Sequence, residues 1–206
     1  MNTLTEAPPP PGRLRAAWTA AHATVPGVPR WARIAALAIP FTVLPSGLWR
    51  VAAMTFHAPI VIHNHDMGPG DLPSWLPGEL YVVLLSVISE IAAFAAVGLV
   101  APWGEVFPRW VPGLRGRTVP PAAAVVPAAL AAAVLTCLWT WAAVTMFMGT
   151  DIRGRPLIAG FPLNTSTWQG WLAIAAYAPL VLWGPLLAAV TAAYAWRRSH
   201  LPVAAA

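Results

Sequence analysis

Glu90 and Arg50 are the residues whose chemistry conflicts most with their surroundings. Each stands inside a long, mostly apolar run, residues 80–101 and 34–56 respectively. An ionisable side chain within a bilayer span is costly, so it is expected to face the protein interior and to have a partner or a task. A carboxyl group there can act as a buried acid or an anchor, and a guanidinium within reach sets its charge state. Counted from the outer ends of the runs, Arg50 is about seven residues deep and Glu90 about ten, a difference of roughly 5 Å. The pair is therefore expected to meet between antiparallel helices. It would serve either as a catalytic or ligand-anchoring couple or as an ion pair that fixes helix register.

Helical spacing places other side chains around them. Ser46, Arg50, Met54 and His57 share one face of the first run, and Ser86, Glu90 and Phe94 share one face of the second. In a third run, residues 122–148, Cys137, Trp141, Thr145 and Met148 align. Such polar stripes should point inward, away from lipid. Trp49, Phe94, Trp141 and Ser86 would then line a substrate-binding cavity around Glu90, and an aromatic wall suits an apolar or cationic guest. Trp49, Trp139, Trp141 and Trp183 lie deep, where each indole N–H needs an acceptor.

A second candidate site lies at the outer surface. His57, His63, His65 and Met67 fall within one stretch that also carries Met54 and Asp66. Thioether favours Cu(I) and imidazole suits copper or zinc. His63 and His65 are two apart, so an extended backbone points both to one side. No CxxC, HExxH or i, i+4 histidine pair reinforces this set, and histidines held by water or hydrogen bonds fit the same stretch.

These residues need elements to hold them. The chain of 206 residues is 58% hydrophobic and 9% charged, against about 25% charged in globular domains. About 20 apolar residues cross a bilayer as a helix, and residues 34–56, 80–101, 122–148 and 168–196 qualify. The expected fold is an all-α, four-helix transmembrane bundle occupying residues 30–198. A disordered, proline-rich tail would occupy residues 1–29 and a short tail residues 199–206. Prolines within the runs (Pro40, Pro45, Pro127, Pro179, Pro185) are tolerated in membranes where neighbours satisfy the freed carbonyls, and the kinks they cause can open gaps for a ligand.

All twelve basic residues are arginines. Arg13, Arg15, Arg30, Arg33, Arg109, Arg115, Arg117, Arg197 and Arg198 fall on one side of the membrane, and Arg153 and Arg155 on the other. The positive-inside rule then makes both termini cytoplasmic. Trp31, Trp103, Trp110 and Trp196 would mark the inner interface, and Trp75, Trp168 and Trp171 the outer one. The arginines lie in short connections and form no basic face, so the net charge of +5 reads as topology and no nucleic-acid partner is expected. Cys137 is alone, so no disulfide framework arises within the chain. No Gly-rich phosphate loop and no Ser–His–Asp ordering is present, which argues against ATP-driven chemistry.

The strings Leu44-Pro-Ser-Gly-Leu-Trp-Arg-Val-Ala52, Ser89-Glu90, Pro102-Trp-Gly-Glu-Val-Phe-Pro-Arg-Trp-Val-Pro112 and Gly116-Arg-Thr-Val-Pro120 resemble uncharacterised four-span integral membrane proteins of high-GC actinobacteria. The resemblance covers most of residues 34–130 and implies a multi-pass protein of a bacterial plasma membrane. More loosely the chain is similar to DoxX-like and sterol-isomerase-like bundles, which can carry acidic groups within their helices.

The function expected from these features is binding, with conversion as a further step, of an apolar small molecule such as an isoprenoid or lipid in an intramembrane cavity around Glu90. Its partners would be the lipid bilayer, that ligand, and further copies of the chain or a larger membrane complex. An outer-face copper or zinc protein, a structural subunit, and a proton-linked transport component remain open. No cofactor is specified by the sequence.

Overall fold

The structure, a computed structural model, describes Gly12 and residues 25–61, 77–106, 117–157 and 161–200. Most of the proline-rich tail, residues 201–206, and most of the long outer loop therefore lie outside the described residues.

Among the described residues there are four helical spans, each long and apolar enough to cross a membrane. The first is α1 (Arg30–Arg50), which continues into a π-helical turn, Val51–Thr55. The second is α2 (Gly78–Ala95), which tightens into a 3-10 turn, Ala96–Leu99. The third is α3 (Pro121–Phe147), and the fourth joins α4 (Trp168–Tyr177) to α5 (Trp183–His200) through a 3-10 segment, Ala178–Leu182. This is an all-α, four-helix transmembrane bundle, and an even number of spans returns the chain to the end of the bundle where α1 starts.

Helix ends follow local chemistry. Pro29 and Pro120 stand at the N-caps of α1 and α3, where a missing N–H costs nothing. Thr167 caps α4, its Oγ1 accepting from the Gly170 N–H at 3.2 Å. The last helix runs on to His200, past the expected end at residue 196. Arg197, Arg198 and His200 fill its final turn, where cations suit the helix dipole.

The prolines act unequally. Pro40, Pro45 and Pro127 sit inside continuous helix. Pro179 lies within the 3-10 segment and Pro185 just after it. There the chain takes the tighter i to i−3 pattern, whereas the more closely spaced Pro40 and Pro45 leave α1 continuous.

The first span lies at the centre, packed on α2, α4 and α5, while α3 rests chiefly on α5 and the 3-10 segment. Ala36, Ile39 and Val43 of α1, Ala93 of α2, Ala132 of α3 and Leu187, Val190 and Tyr194 of α5 make the main core. Small residues let backbones approach where lipid offers no hydrophobic drive to associate. Gly184 marks a close approach of two spans: a Cβ there would fall on the Thr136 backbone and hydroxyl of α3.

Five hydroxyl groups in the spans are satisfied by their own helices. Thr42, Ser46, Ser86, Thr136 and Thr191 donate to the carbonyls of Ile39, Val43, Val82, Ala132 and Leu187 at 2.7–2.8 Å. This is the economical answer in hydrocarbon, and it leaves few hydroxyls to bridge helices. The stripe expected to point inward from α3 is split. Thr145 is buried, whereas Cys137, Trp141 and Met148 are exposed. The helix turns its small residues toward Gly184, and that choice rotates the larger ones outward.

Candidate functional site

The register of α1 against α2 decides what Arg50 and Glu90 can do. Gly47 of α1 stands opposite Ser86 of α2, whose Cβ lies 3.7 Å from where a Cβ on Gly47 would be. The helices are antiparallel, so Arg50 lies three residues toward the outer end from that level and Glu90 four toward the inner end. Seven residues of helix separate the two by about 10 Å along the axis. The expected ion pair is accordingly absent: among the described residues no salt bridge joins Arg50 to Glu90. Arg50 instead folds back, its Nε donating to the Ser46 carbonyl oxygen at 3.2 Å. Glu90 is half-buried beside exposed Val87, Ile91 and Phe94.

The residues that do gather around Arg50 are aromatic. Tyr177, at the end of α4, stands edge-on to Trp49 with ring centroids 5.6 Å apart and meets Trp139 of α3 at 6.4 Å. The Arg50 guanidinium is within electrostatic reach of the Tyr177 phenol. Trp49 is only 7% exposed, and Ala53, Ala173 and Ala176 pack with it. The cluster is assembled from α1, α3 and α4 in the outer half of the bundle. The π-helical turn helps build it: the Phe56 N–H bonds to the Val51 carbonyl oxygen at 3.1 Å, five residues back. Single π turns of this kind are frequent at functional sites.

Unmet donors occur in this cluster, as they do on Arg197 and Arg198 at the other end of the bundle. Among the described residues, the indole N–H groups of Trp49 and Trp139 and the hydroxyl of Thr55 are buried without a hydrogen-bond partner, as is the indole N–H of Trp183 in the adjoining core. Buried donors are normally satisfied, and one left unmade costs about 1–3 kcal/mol. The sequence pointed to deep tryptophans that need acceptors, but not to Tyr177, which joins them.

The other proposed cavity residues go elsewhere. Phe94 stacks on Trp103 with centroids 6.4 Å apart, and the Trp141 indole donates to the Ile152 carbonyl oxygen of the outer loop at 3.1 Å. Ser86 is buried at the α1–α2 contact. Trp49, Phe94 and Trp141 are thus held in three separate contacts and do not line one cavity with Glu90. A hollow of about 470 Å3 opens between α3 and α5, lined by Ala129, Ala133, Cys137, Ala188 and Ala192 among others, with no contribution from α2.

At the outer face His57 is exposed and adopts a left-handed conformation, φ 51°, that stops the first span. His63, His65 and Met67 lie outside the described residues. Among the described residues no group of three or more His, Cys, Asp or Glu side chains could hold a metal.

The connection between α3 and α4 is ordered by a carboxylate. Asp151 accepts from the backbone N–H groups of Arg153 and Arg155 at 2.9 Å and from Arg155 Nε at 2.7 Å. The Arg155 backbone N–H chiefly holds the Asp151 carboxyl below the usual carboxylate range. Arg155's side chain and the Arg153 N–H add to this, against a smaller opposing effect of burial. The folded value thus lies below the unfolded one of about 3.9. The contribution to loop order is therefore present above roughly pH 4 and is lost as pH falls through the folded value. Amide-exchange protection at Arg153 and Arg155 should persist from neutral pH to about pH 4 and disappear on further acidification. Asp151→Asn should abolish protection at neutral pH; equal protection in that variant would show the carboxylate is not what orders the turn.

A second constellation closes the opposite end of the bundle. Arg197, 3% exposed, forms a 2.7 Å salt bridge from Nη2 to Glu105 Oε1 and donates to the Leu99 carbonyl oxygen at 3.2 Å. The Tyr194 hydroxyl donates to the Gly104 carbonyl oxygen at 3.2 Å, and Arg198 Nη2 to that of Val119 at 2.8 Å. Both guanidinium carbons lie over the Tyr194 ring, at 5.5 and 5.9 Å, an attraction that partly offsets their desolvation. Gly104 and Gly98 allow this end to close, since a Cβ on Gly104 would overlap the Gly98 carbonyl and one on Gly98 the Trp103 ring. All of these contacts tie the end of α5 to the connection between α2 and α3.

Together these features define a four-span membrane protein with a buried aromatic cluster beside an intramembrane arginine. No protein family, curated protein or solved structure matches the chain.

Proposed function

We propose that the protein binds an apolar small molecule of the isoprenoid or lipid class within the membrane, in the outer half of the bundle between α1, α3 and α4. The observation that carries this reading is the pair of buried indole N–H groups, Trp49 and Trp139, left without acceptors among the described residues around Tyr177 and near Arg50. A ligand that supplied acceptors would relieve a cost the unliganded protein bears. Glu90, one helix away and nearer mid-depth, is a second polar group that a longer guest could reach, and it is the residue on which any conversion by acid catalysis would depend. The positive-inside pattern supports an orientation with the aromatic cluster toward the outer leaflet, in what we read as a bacterial plasma membrane.

The test is direct. Purified protein extracted from membranes is expected to carry a lipid or terpenoid identifiable by mass spectrometry, and Trp139→Ala should lower its occupancy several-fold while the protein remains folded. Wild-type protein that carries nothing beyond bulk phospholipid would sink the proposal.

A further inference from the structure

The chemistry of the unpartnered groups narrows the class of guest. Indole and guanidinium groups are donors only. Arg50 uses Nε on the Ser46 carbonyl, and Trp49 and Trp139 present one unused N–H each. The Tyr177 hydroxyl can donate as well. The carboxylate expected to neutralise Arg50, that of Glu90, lies about 10 Å away along the bundle axis. Among the described residues the cluster therefore joins a cation and at least two unused donors, set in an apolar core with Ala53, Ala173 and Ala176. Its complement must be rich in acceptors and negative at one end, and apolar along the rest.

We propose that the site takes an amphiphile with an anionic oxygen head, a carboxylate or a phosphate monoester, whose oxygens are received by Arg50, Trp49 and Trp139 and whose chain extends from the cluster into the surrounding hydrocarbon. The inference rests on the reading that a small molecule binds here, and adds that its head is anionic. Arg50 supplies the charge and a planar fork that donates to two oxygens at once, a match to carboxylate and phosphate that a lysine would not give. The indoles add neutral hydrogen bonds and a rigid wall.

Matched probes separate this proposal from the one beneath it. The full chain, in nanodiscs of neutral phosphatidylcholine, is titrated with oleate, oleyl alcohol, farnesyl phosphate and farnesol, with binding read by native mass spectrometry and thermal shift. At least one anionic member should bind about tenfold tighter than its alcohol, the margin expected for a charge-assisted bond. The pair showing the gap tells carboxylate from phosphate. Arg50→Gln should bring acid and alcohol to parity. Should that variant not fold, Trp139→Phe removes one N–H and keeps an aromatic ring. It should weaken the anion several-fold and leave the alcohol nearly unchanged. Alcohols that bind as tightly as their anions would overturn the head-group assignment and leave the binding site standing. An anion preference that survives both substitutions would overturn its placement at Arg50. If none of the four probes binds and no lipid co-purifies, the binding reading fails as well.

Discussion

Arg197→Ala is expected to destabilise the protein by about 3–5 kcal/mol, the range for removing one partner of a buried ion pair. Its side chain is 4% exposed and that of Glu105 16%, so water offers the stranded carboxylate little compensation. The loss extends beyond one bond. Nη2 also serves the Leu99 carbonyl at the end of the second span, and the guanidinium packs over Tyr194, which holds the Gly104 carbonyl. Removing it should release the connection between α2 and α3 from the last helix. In detergent, a melting curve followed by helical circular dichroism should shift down by on the order of 10 °C. Pairing Arg197→Met with Glu105→Met should recover much of the loss, because an apolar pair carries no desolvation cost. A single variant that melts within about 2 °C of wild type, or a double variant no better than the single, would show that this contact does not hold the inner end together.

That contact was invisible to a reading that counted arginines for orientation. Arg197 and Arg198 satisfied the positive-inside pattern as surface charges, yet Arg197 is among the most buried polar residues described. The available signal was Glu105, a lone carboxylate in an arginine-rich connection, but neither residue type nor spacing tells which of several arginines it meets. The spans themselves were legible because hydropathy and length alone determine them. Residues 34–56 were expected and Arg30–Thr55 found, and the third span agrees to one residue at each end. Register was not legible. Depth counted from the span ends brought Arg50 and Glu90 to nearly one level, whereas the Gly47–Ser86 contact sets them about two turns apart. That offset depends on which small residue lets the helices approach, which no property of either ionisable residue encodes. The aromatic site was half legible. The depth of Trp49 and Trp139 was legible, but not that they face inward while Trp141, at a similar depth, is exposed; their meeting at Tyr177 depends on the break at residues 178–182, and the prolines only mark where such a break can occur.

Gly184→Val should detach the third span from the fourth, and its effect on binding should exceed its effect on helix content. The backbone of α3 passes so close to Gly184 that an added Cβ would overlap Thr136. Backbone atoms cannot rotate away, so the helices must separate. Overpacking typically costs about 1–3 kcal/mol and occasionally more, and this site belongs at the upper end because α3 has α5 and the 3-10 segment as its chief supports. Each helix can satisfy its own backbone in lipid, so circular dichroism should change little. The distance between α3 and α5 should change instead. Cys137 is the single cysteine of the chain and lines the same hollow as Ala188, so Ala188→Cys provides a crosslinking pair across that crossing. A short bifunctional thiol reagent should join the two in a Gly184 background and fail to do so after Gly184→Val. Movement of α3 would also draw Trp139 away from Tyr177, so co-purifying ligand should fall in parallel. Crosslinking and ligand retention equal to wild type would mean that the bundle absorbs the side chain by sliding along the crossing, and that the aromatic cluster does not depend on how α3 is seated.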